Sequence, residues 1–271
     1  DIVPGRGPVM GSPYRDAAAI RTLPEVPDSA FDPVREAVTR TVEQLGDTPL
    51  IGFAGAPFTV AAYMVEGAAS RDHLAPRTMM HADPAAWREL AAWTAELSGR
   101  FLRAQVEAGA SAVQLFDSWV GSLPLREYRE HVQEHSAAAL AAVEAYGVPR
   151  VHFGTGTSEL LGAMREAGAD VVGVDHRLDL DEAAARLGGD PVLQGNIDPA
   201  LLGAGWEPLR EHTLDVLRRG RAARTHVVNL GHGVPPETEP EVLTCLVRLI
   251  HAQPAHGPEQ DRPEGDADAR R

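Results

Sequence analysis

No lysine occurs anywhere in the 271-residue chain, so all 25 of its basic residues are arginine. Without lysine there is no Schiff-base nucleophile, which excludes pyridoxal-type and class I aldolase-type chemistry. A Walker A phosphate site is excluded for the same reason. The single cysteine, Cys245, rules out an intramolecular disulfide framework, a CxxC redox pair and any multi-cysteine zinc site. Positive charge is also in deficit. The formal net charge of −14 argues against a broad nucleic-acid or anionic-membrane surface, both of which need a basic face. An anionic ligand would have to find a locally basic cleft against this field. The longest apolar stretch, residues 50–65, is interrupted by Gly52, Gly55, Pro57 and Thr59 and falls short of the roughly 20 residues of a membrane span. No basic start leads into an apolar segment as in a secretory signal, although the chain opens on Asp1 rather than Met. A normal apolar content of 44% without a short repeat leaves an ordinary globular chain, neither disordered, collagenous nor coiled-coil.

What is present is a strand–helix alternation. Six short, often β-branched runs are expected to be strands: residues 50–54, 112–116, 150–153, 171–174, 191–193 and 226–230. Between them lie helical stretches. The clearest is expected over 84–108, with Leu90, Trp93, Leu97, Phe101, Ala104 and Ala108 as its apolar stripe, Asp83 as N-cap, Pro84 at the first position and Gly109 as the stop. Thr238-Glu239-Pro240-Glu241 resembles a capping box before a helix carrying Leu243, Leu246, Val247 and Ile250. This pattern specifies an α/β fold with a parallel sheet, and about 250 residues is the usual size of a (β/α)8 TIM barrel. Six strands are two short of closure, so the first two are expected to be encoded upstream of Asp1, leaving open edges at 50–54 and 226–230. The expected organisation is an N-terminally incomplete barrel over 1–251 and a disordered polar tail over 252–271.

Ligands of parallel α/β folds gather at the C-terminal ends of the strands. Here those ends run into Asp117-Ser118-Trp119, Gly154-Thr155-Gly156-Thr157, Asp175-His176, Gln194-Gly195-Asn196-Ile197-Asp198 and Gly231-His232-Gly233. Helix capping and loop hydrogen bonds account for Asp198 before Pro199 and for Thr157. They account poorly for His232 between two glycines, where backbone and ligand can approach closely. An enzyme mouth is the better reading. Two other motifs are weaker. Gly154-x-Gly156 with Asp175 downstream imitates a dinucleotide fingerprint, but Glu159 replaces the third glycine. His131-Val132-Gln133-Glu134-His135 matches an H-x-x-E-H zinc motif, but it falls in a helix whose expected buried stripe is Tyr128, Val132, Ala139 and Val143. Its histidines are expected to be ordinary surface charge.

One resemblance goes further. Leu50-Ile51-Gly52-Phe53-Ala54-Gly55-Ala56-Pro57-Phe58-Thr59 with Tyr63-Met64-Val65-Glu66-Gly67 closely resembles the uroporphyrinogen decarboxylase family. The likeness continues through Gln114-Leu115-Phe116-Asp117-Ser118-Trp119-Val120-Gly121, Val171-Val172-Gly173-Val174-Asp175, Leu193-Gln194-Gly195-Asn196-Ile197-Asp198-Pro199 and Asn229-Leu230-Gly231-His232-Gly233. The resemblance implies a cytoplasmic, cofactor-free, homodimeric (β/α)8 enzyme that removes the four acetate carboxyl groups of uroporphyrinogen III as carbon dioxide, giving coproporphyrinogen III in haem biosynthesis. It implies no nucleic-acid or membrane partner. By the same match Tyr63, Ser118 and His232 would contact substrate carboxylates, and Phe53 and Phe116 would form an apolar wall against the macrocycle, where plain core packing is the alternative for the two phenylalanines.

The family's Arg-x-x-Gly-Arg clamp and pyrrole-facing aspartate have no counterpart after Asp1, so no catalytic residue is assigned and Asp1 does not inherit that role. Residues 1–271 alone are expected to have little activity. Two alternatives stay open: an inactive tetrapyrrole-binding barrel, and a zinc- and corrinoid-dependent methyltransferase of the same superfamily, for which the solitary Cys245 is a poor fit.

Overall fold

The computed structural model describes residues 2–3 and 7–254, with side chains from Val9 onward. Asp1, residues 4–6 and the tail beyond 254 lie outside the described residues, so the expected disorder over 255–271 does too. The chain divides into two compact units, 1–172 and 173–271.

The first unit opens with a short antiparallel ribbon, β1 (Ile2–Val3) against β2 (Gly7–Pro8), which the sequence pattern did not suggest. Three strands follow: β3 (Ile51–Gly55), β4 (Ala112–Asp117) and β5 (Arg150–Gly154). They pair parallel in chain order, with Phe53 opposite Gln114 and Phe116 opposite Phe153. β6 (Val171–Gly173) crosses the boundary between the units. In the second unit β7 (Val192–Ile197) pairs parallel with β8 (Thr225–Leu230). Helices alternate with these strands, and the α/β class follows directly from the sequence pattern.

The helix Pro84–Glu107 organises the first unit. Asp83 accepts from the Ala86 N–H at 3.1 Å, as its N-cap position requires, and Gly109 just beyond the end has φ +111. The buried face keeps Leu90 and Ala104 of the expected stripe but not the rest of it. Trp93, Leu97 and Phe101 are only half-buried, whereas Trp87, Ala91, Thr94, Ser98, Leu102 and Gln105 face inward. Three of these are polar because the helix lies against the backbone of β3 and of the helix start that follows it: Thr94 Oγ1 donates to Pro57 O at 3.2 Å and Ser98 Oγ to Gly55 O at 2.8 Å. Gln105 acts as a substitute strand, accepting from Phe53 N at 3.0 Å and donating to Phe53 O at 2.8 Å. The expected open edge at 50–54 is therefore closed at Phe53 by a side chain. Phe58, Met80, Trp87, Leu90, Tyr128 and Met164 fill the core around it, each large apolar group contributing about 1.5–3 kcal/mol.

Two other expectations need correction. The last helix is Pro240–His251: Pro240 takes the first helical position, which puts Glu239 rather than Thr238 at the cap, and no side-chain capping bond is made there. Of its expected apolar face only Leu246 is buried, and Val247 is exposed. The His131–His135 segment is two helices, Leu125–His131 and Gln133–Ala141, broken at Val132. Tyr128, Val132, Ala139 and Val143 are all buried as expected, but so is His135, which is not surface charge.

Candidate active site

Period-two alternation sorts the strands of the first unit into two faces. Ala54, Val113, Leu115 and Asp117 are buried on the helix side, while Phe53 and Phe116 point to the other face. Their rings meet edge-to-face at 5.7 Å, and Phe116 meets Phe153 the same way at 6.0 Å. Phe53 is 56% exposed and Phe116 36% exposed, so this aromatic row ends in an accessible apolar surface rather than in closed core.

The helix Pro57–Glu66 starts beside this row. Ala56 is extended and its N–H donates to Phe116 O at 2.9 Å, which ties the helix start to the end of β4. Proline at the first helical position sets the turn. One turn in, Thr59 Oγ1 donates to Asp117 Oδ1 at 2.8 Å and accepts from the Trp119 N–H at 3.3 Å. A turn further, Tyr63 stacks on Trp119 with centroids 4.4 Å apart and planes 16° from parallel. His73 stacks on the same indole at 4.3 Å. Ser118 is held from the other side, its carbonyl accepting from Thr155 Oγ1 at 2.7 Å. Tyr63 and Ser118 are thus brought together around Trp119, each half-buried.

Beneath this cluster Asp117 and His152 are wholly buried, with His152 Nε2 3.2 Å from Asp117 Oδ2. Burial pushes the Tyr128 phenol well above its ordinary range, and the Asp117 charge adds to the shift. The His73 imidazole is pushed below its ordinary value by burial, against the pull of Glu66 and Asp72 and with a smaller contribution from Arg77. The sequence reading did not single out Thr59, His73, His152 or Phe153. Only Thr59 carried a local signal, lying four residues before Tyr63 and hence on the same helix face.

In the second unit the strand ends are built from backbone approaches. Asp175 accepts from the Arg177 N–H at 3.0 Å and from the Arg177 guanidinium. Asn196 Nδ2 donates to the carbonyls of Asp175 and Leu178 at 2.9 and 2.6 Å. Gly231 donates to Ile197 O at 2.7 Å, and a Cβ there would lie 2.4 Å from the His176 nitrogen, so no larger residue fits. That fixes His232, which is exposed, with Nδ1 accepting from the Gly233 N–H at 2.7 Å. Asp198 caps as expected, accepting from the Ala200 N–H at 2.9 Å.

The competing motifs find no such support. A Cβ on Gly154 would lie 2.6 Å from Thr157 Cγ2, and one on Gly121 would lie 2.1 Å from the Thr155 carbonyl oxygen. The glycines of 154–156 therefore serve loop-on-loop packing where a dinucleotide would need open space. Among the described residues no group of three or more His, Cys, Asp or Glu is placed to hold a metal ion. Cys245 lies on the last helix with its Sγ 3.6 Å from Glu241 Oε1, remote in sequence from any strand end. No helix among the described residues is long and apolar enough to cross a membrane.

Parallel strands alternating with helices, their ends carrying polar and glycine residues, make this an α/β enzyme scaffold. The family model for uroporphyrinogen decarboxylase (URO-D) matches residues 1–253. A uroporphyrinogen decarboxylase from an Arthrobacter species is 64% identical over 93% of this chain and 73% of its own length. One from Leifsonia xyli is 57% identical over 93% and 72%. The chain belongs to the uroporphyrinogen decarboxylase family, and its chemistry is that of a carboxy-lyase acting by decarboxylation in porphyrin biosynthesis. Among solved structures, a methyltransferase from Methanosarcina mazei superposes with TM-score 0.73 over 90% of this chain and 70% of that one. At 20% identity it shares the fold alone.

Proposed function

We propose that the chain converts uroporphyrinogen III to coproporphyrinogen III, with Tyr63, Ser118 and His232 donating hydrogen bonds to substrate carboxylates and Phe53 and Phe116 lying against the macrocycle. The observation that carries this reading is the convergence of Tyr63 and Ser118 on Trp119, contiguous in the chain with an exposed aromatic row. Polar donors beside an apolar wall match a substrate whose rings are apolar and whose periphery is anionic.

The chemistry suits a chain without lysine. Protonation of a pyrrole ring carbon produces a cation. The bond from the acetate methylene to its carboxylate then breaks, and the electron pair flows into the ring to leave carbon dioxide and an exocyclic methylene. A proton adds to that methylene and another leaves the ring carbon, so each acetate becomes a methyl group with net uptake of one proton. The electron sink belongs to the substrate; the protein supplies orientation and stabilisation of developing charge. On this reading no cofactor is needed, the fold is a (β/α)8 barrel over residues up to 251, and the enzyme is a cytoplasmic homodimer without nucleic-acid or membrane partners.

The test is uroporphyrinogen binding and turnover, in a chain extended upstream to the length of its relatives, of Tyr63→Phe, Ser118→Ala and His232→Ala. Each variant should lose about tenfold or more in kcat/KM, the worth of a hydrogen bond to a charged group, while keeping its melting temperature. Wild-type binding and turnover in all three would overturn the assignment. Turnover should also survive exhaustive chelation; loss on chelation with recovery on added zinc would overturn the cofactor-free reading.

A further inference from the structure

We infer that Thr59 and Asp117 are positioning residues for the decarboxylation site, fixing Tyr63 and Ser118 relative to one another without touching substrate. This rests on the proposed role of Tyr63 and Ser118 as carboxylate contacts. Asp117 cannot be such a contact itself: its side chain is fully buried, on the helix side of β4, opposite the face that carries Phe116. Its partners are the Thr59 hydroxyl at 2.8 Å and His152 Nε2 at 3.2 Å. A buried carboxylate–imidazole pair rarely adds stability over apolar residues of similar volume, so its contribution lies in the geometry it specifies.

That geometry is a closed circuit. The Asp117 carboxylate orients the Thr59 proton toward itself, which leaves the Thr59 oxygen lone pairs to receive the Trp119 N–H at 3.3 Å. The peptide unit held in this way is the one joining Ser118 to Trp119. Thr59 also lies four residues before Tyr63, on the same helix face, and Tyr63 returns to Trp119 by stacking at 4.4 Å. One hydroxyl therefore registers the helix that carries Tyr63 against the loop that carries Ser118. Thr155 bonds the Ser118 carbonyl from the far side at 2.7 Å, so the Ser118–Trp119 peptide unit is held at its C=O by Thr155 and at its N–H by Thr59.

Thr59→Val keeps the shape and removes the hydroxyl; Thr59→Ser keeps the hydroxyl. Amide hydrogen exchange in the full chain reads the contact directly. In Thr59→Val the Trp119 amide should exchange about tenfold faster or more, that of Leu115 in β4 should not change, and Thr59→Ser should restore protection. With uroporphyrinogen, Thr59→Val should lower kcat/KM about tenfold to a hundredfold, and should cost nothing further in a Tyr63→Phe, Ser118→Ala background. Unchanged Trp119 exchange in Thr59→Val overturns the inference. So does equal loss of protection at Leu115, or failure of Thr59→Ser to restore it, since either marks general loosening. Wild-type kcat/KM in Tyr63→Phe and Ser118→Ala removes the site reading on which the inference rests. Impairment of those two with wild-type kcat/KM in Thr59→Val removes the positioning role alone.

Discussion

The indole of Trp119 and the ring of Tyr63 lie 4.4 Å apart and 16° from parallel, so the residue that follows Ser118 in the chain is also the surface against which the Tyr63 phenol is set. A stacked aromatic pair contributes about 0.5–1.5 kcal/mol beyond its buried area. Trp119→Leu should therefore weaken uroporphyrinogen binding by up to about tenfold, whereas Trp119→Phe, which can still stack, should stay within about threefold of wild type. Titration of both variants with substrate checks this; equal weakening in the two would show that the stack is not what sets Tyr63.

Acid should destabilise the fold before its carboxylates are neutralised. His73 is buried, and burial lowers its pKa from the ordinary value of 6.5, with Glu66 and Asp72 opposing the shift and Arg77 adding to it. His135 is lowered by burial in the same direction, with Glu134 opposing and Arg88 adding to the shift. The unfolded chain therefore binds more protons than the folded one once the pH falls below 6.5, and stability declines from that point until each lowered folded-state pKa is passed. His73→Asn removes one of the two groups and suits the left-handed backbone there, φ +49. Urea unfolding between about pH 7 and 5 should show a shallower decline in His73→Asn than in wild type. Parallel curves would exclude His73 as a source of the pH dependence.

Much of the scaffold was legible in the sequence. The six main strands fall within a few residues of their expected spans, because β-branched runs bounded by turn residues admit few alternatives. What could not be read was which polar residues serve the backbone. Thr94, Ser98 and Gln105 look like a solvated helix face until β3 and the start of the helix after it lie against them, and the half-buried Trp93 turns its Nε1 to the Pro24 carbonyl at 3.2 Å. The site divides in the same way. Tyr63, Ser118 and His232 stand in recognisable local motifs, but Thr59–Asp117 and Asp117–His152 join residues 58 and 35 positions apart. Helical or strand periodicity carries no information about pairs at that separation.

Glycine substitutions should separate the loop that holds Ser118 from glycines of no consequence. A Cβ on Gly121 would stand 2.1 Å from the Thr155 carbonyl oxygen and 2.8 Å from Gly156 backbone atoms, and backbone cannot swing aside as a flexible side chain would. Gly121→Ala must therefore push the 118–122 turn off Thr155, whose hydroxyl bonds the Ser118 carbonyl at 2.7 Å. The expected cost is about 1–3 kcal/mol of stability together with a fall in kcat/KM. Gly162 is the contrast: it lies in the helix Leu161–Glu166, and its added Cβ would meet nothing within 4 Å. Gly162→Ala should raise stability by about 0.5–1 kcal/mol, since alanine loses less conformational freedom in a helix, and leave turnover unchanged. Thermal melts and uroporphyrinogen turnover of the two variants, side by side, decide the matter. Gly121→Ala with wild-type melting and turnover would mean that the turn is not held against Thr155 as the structure has it.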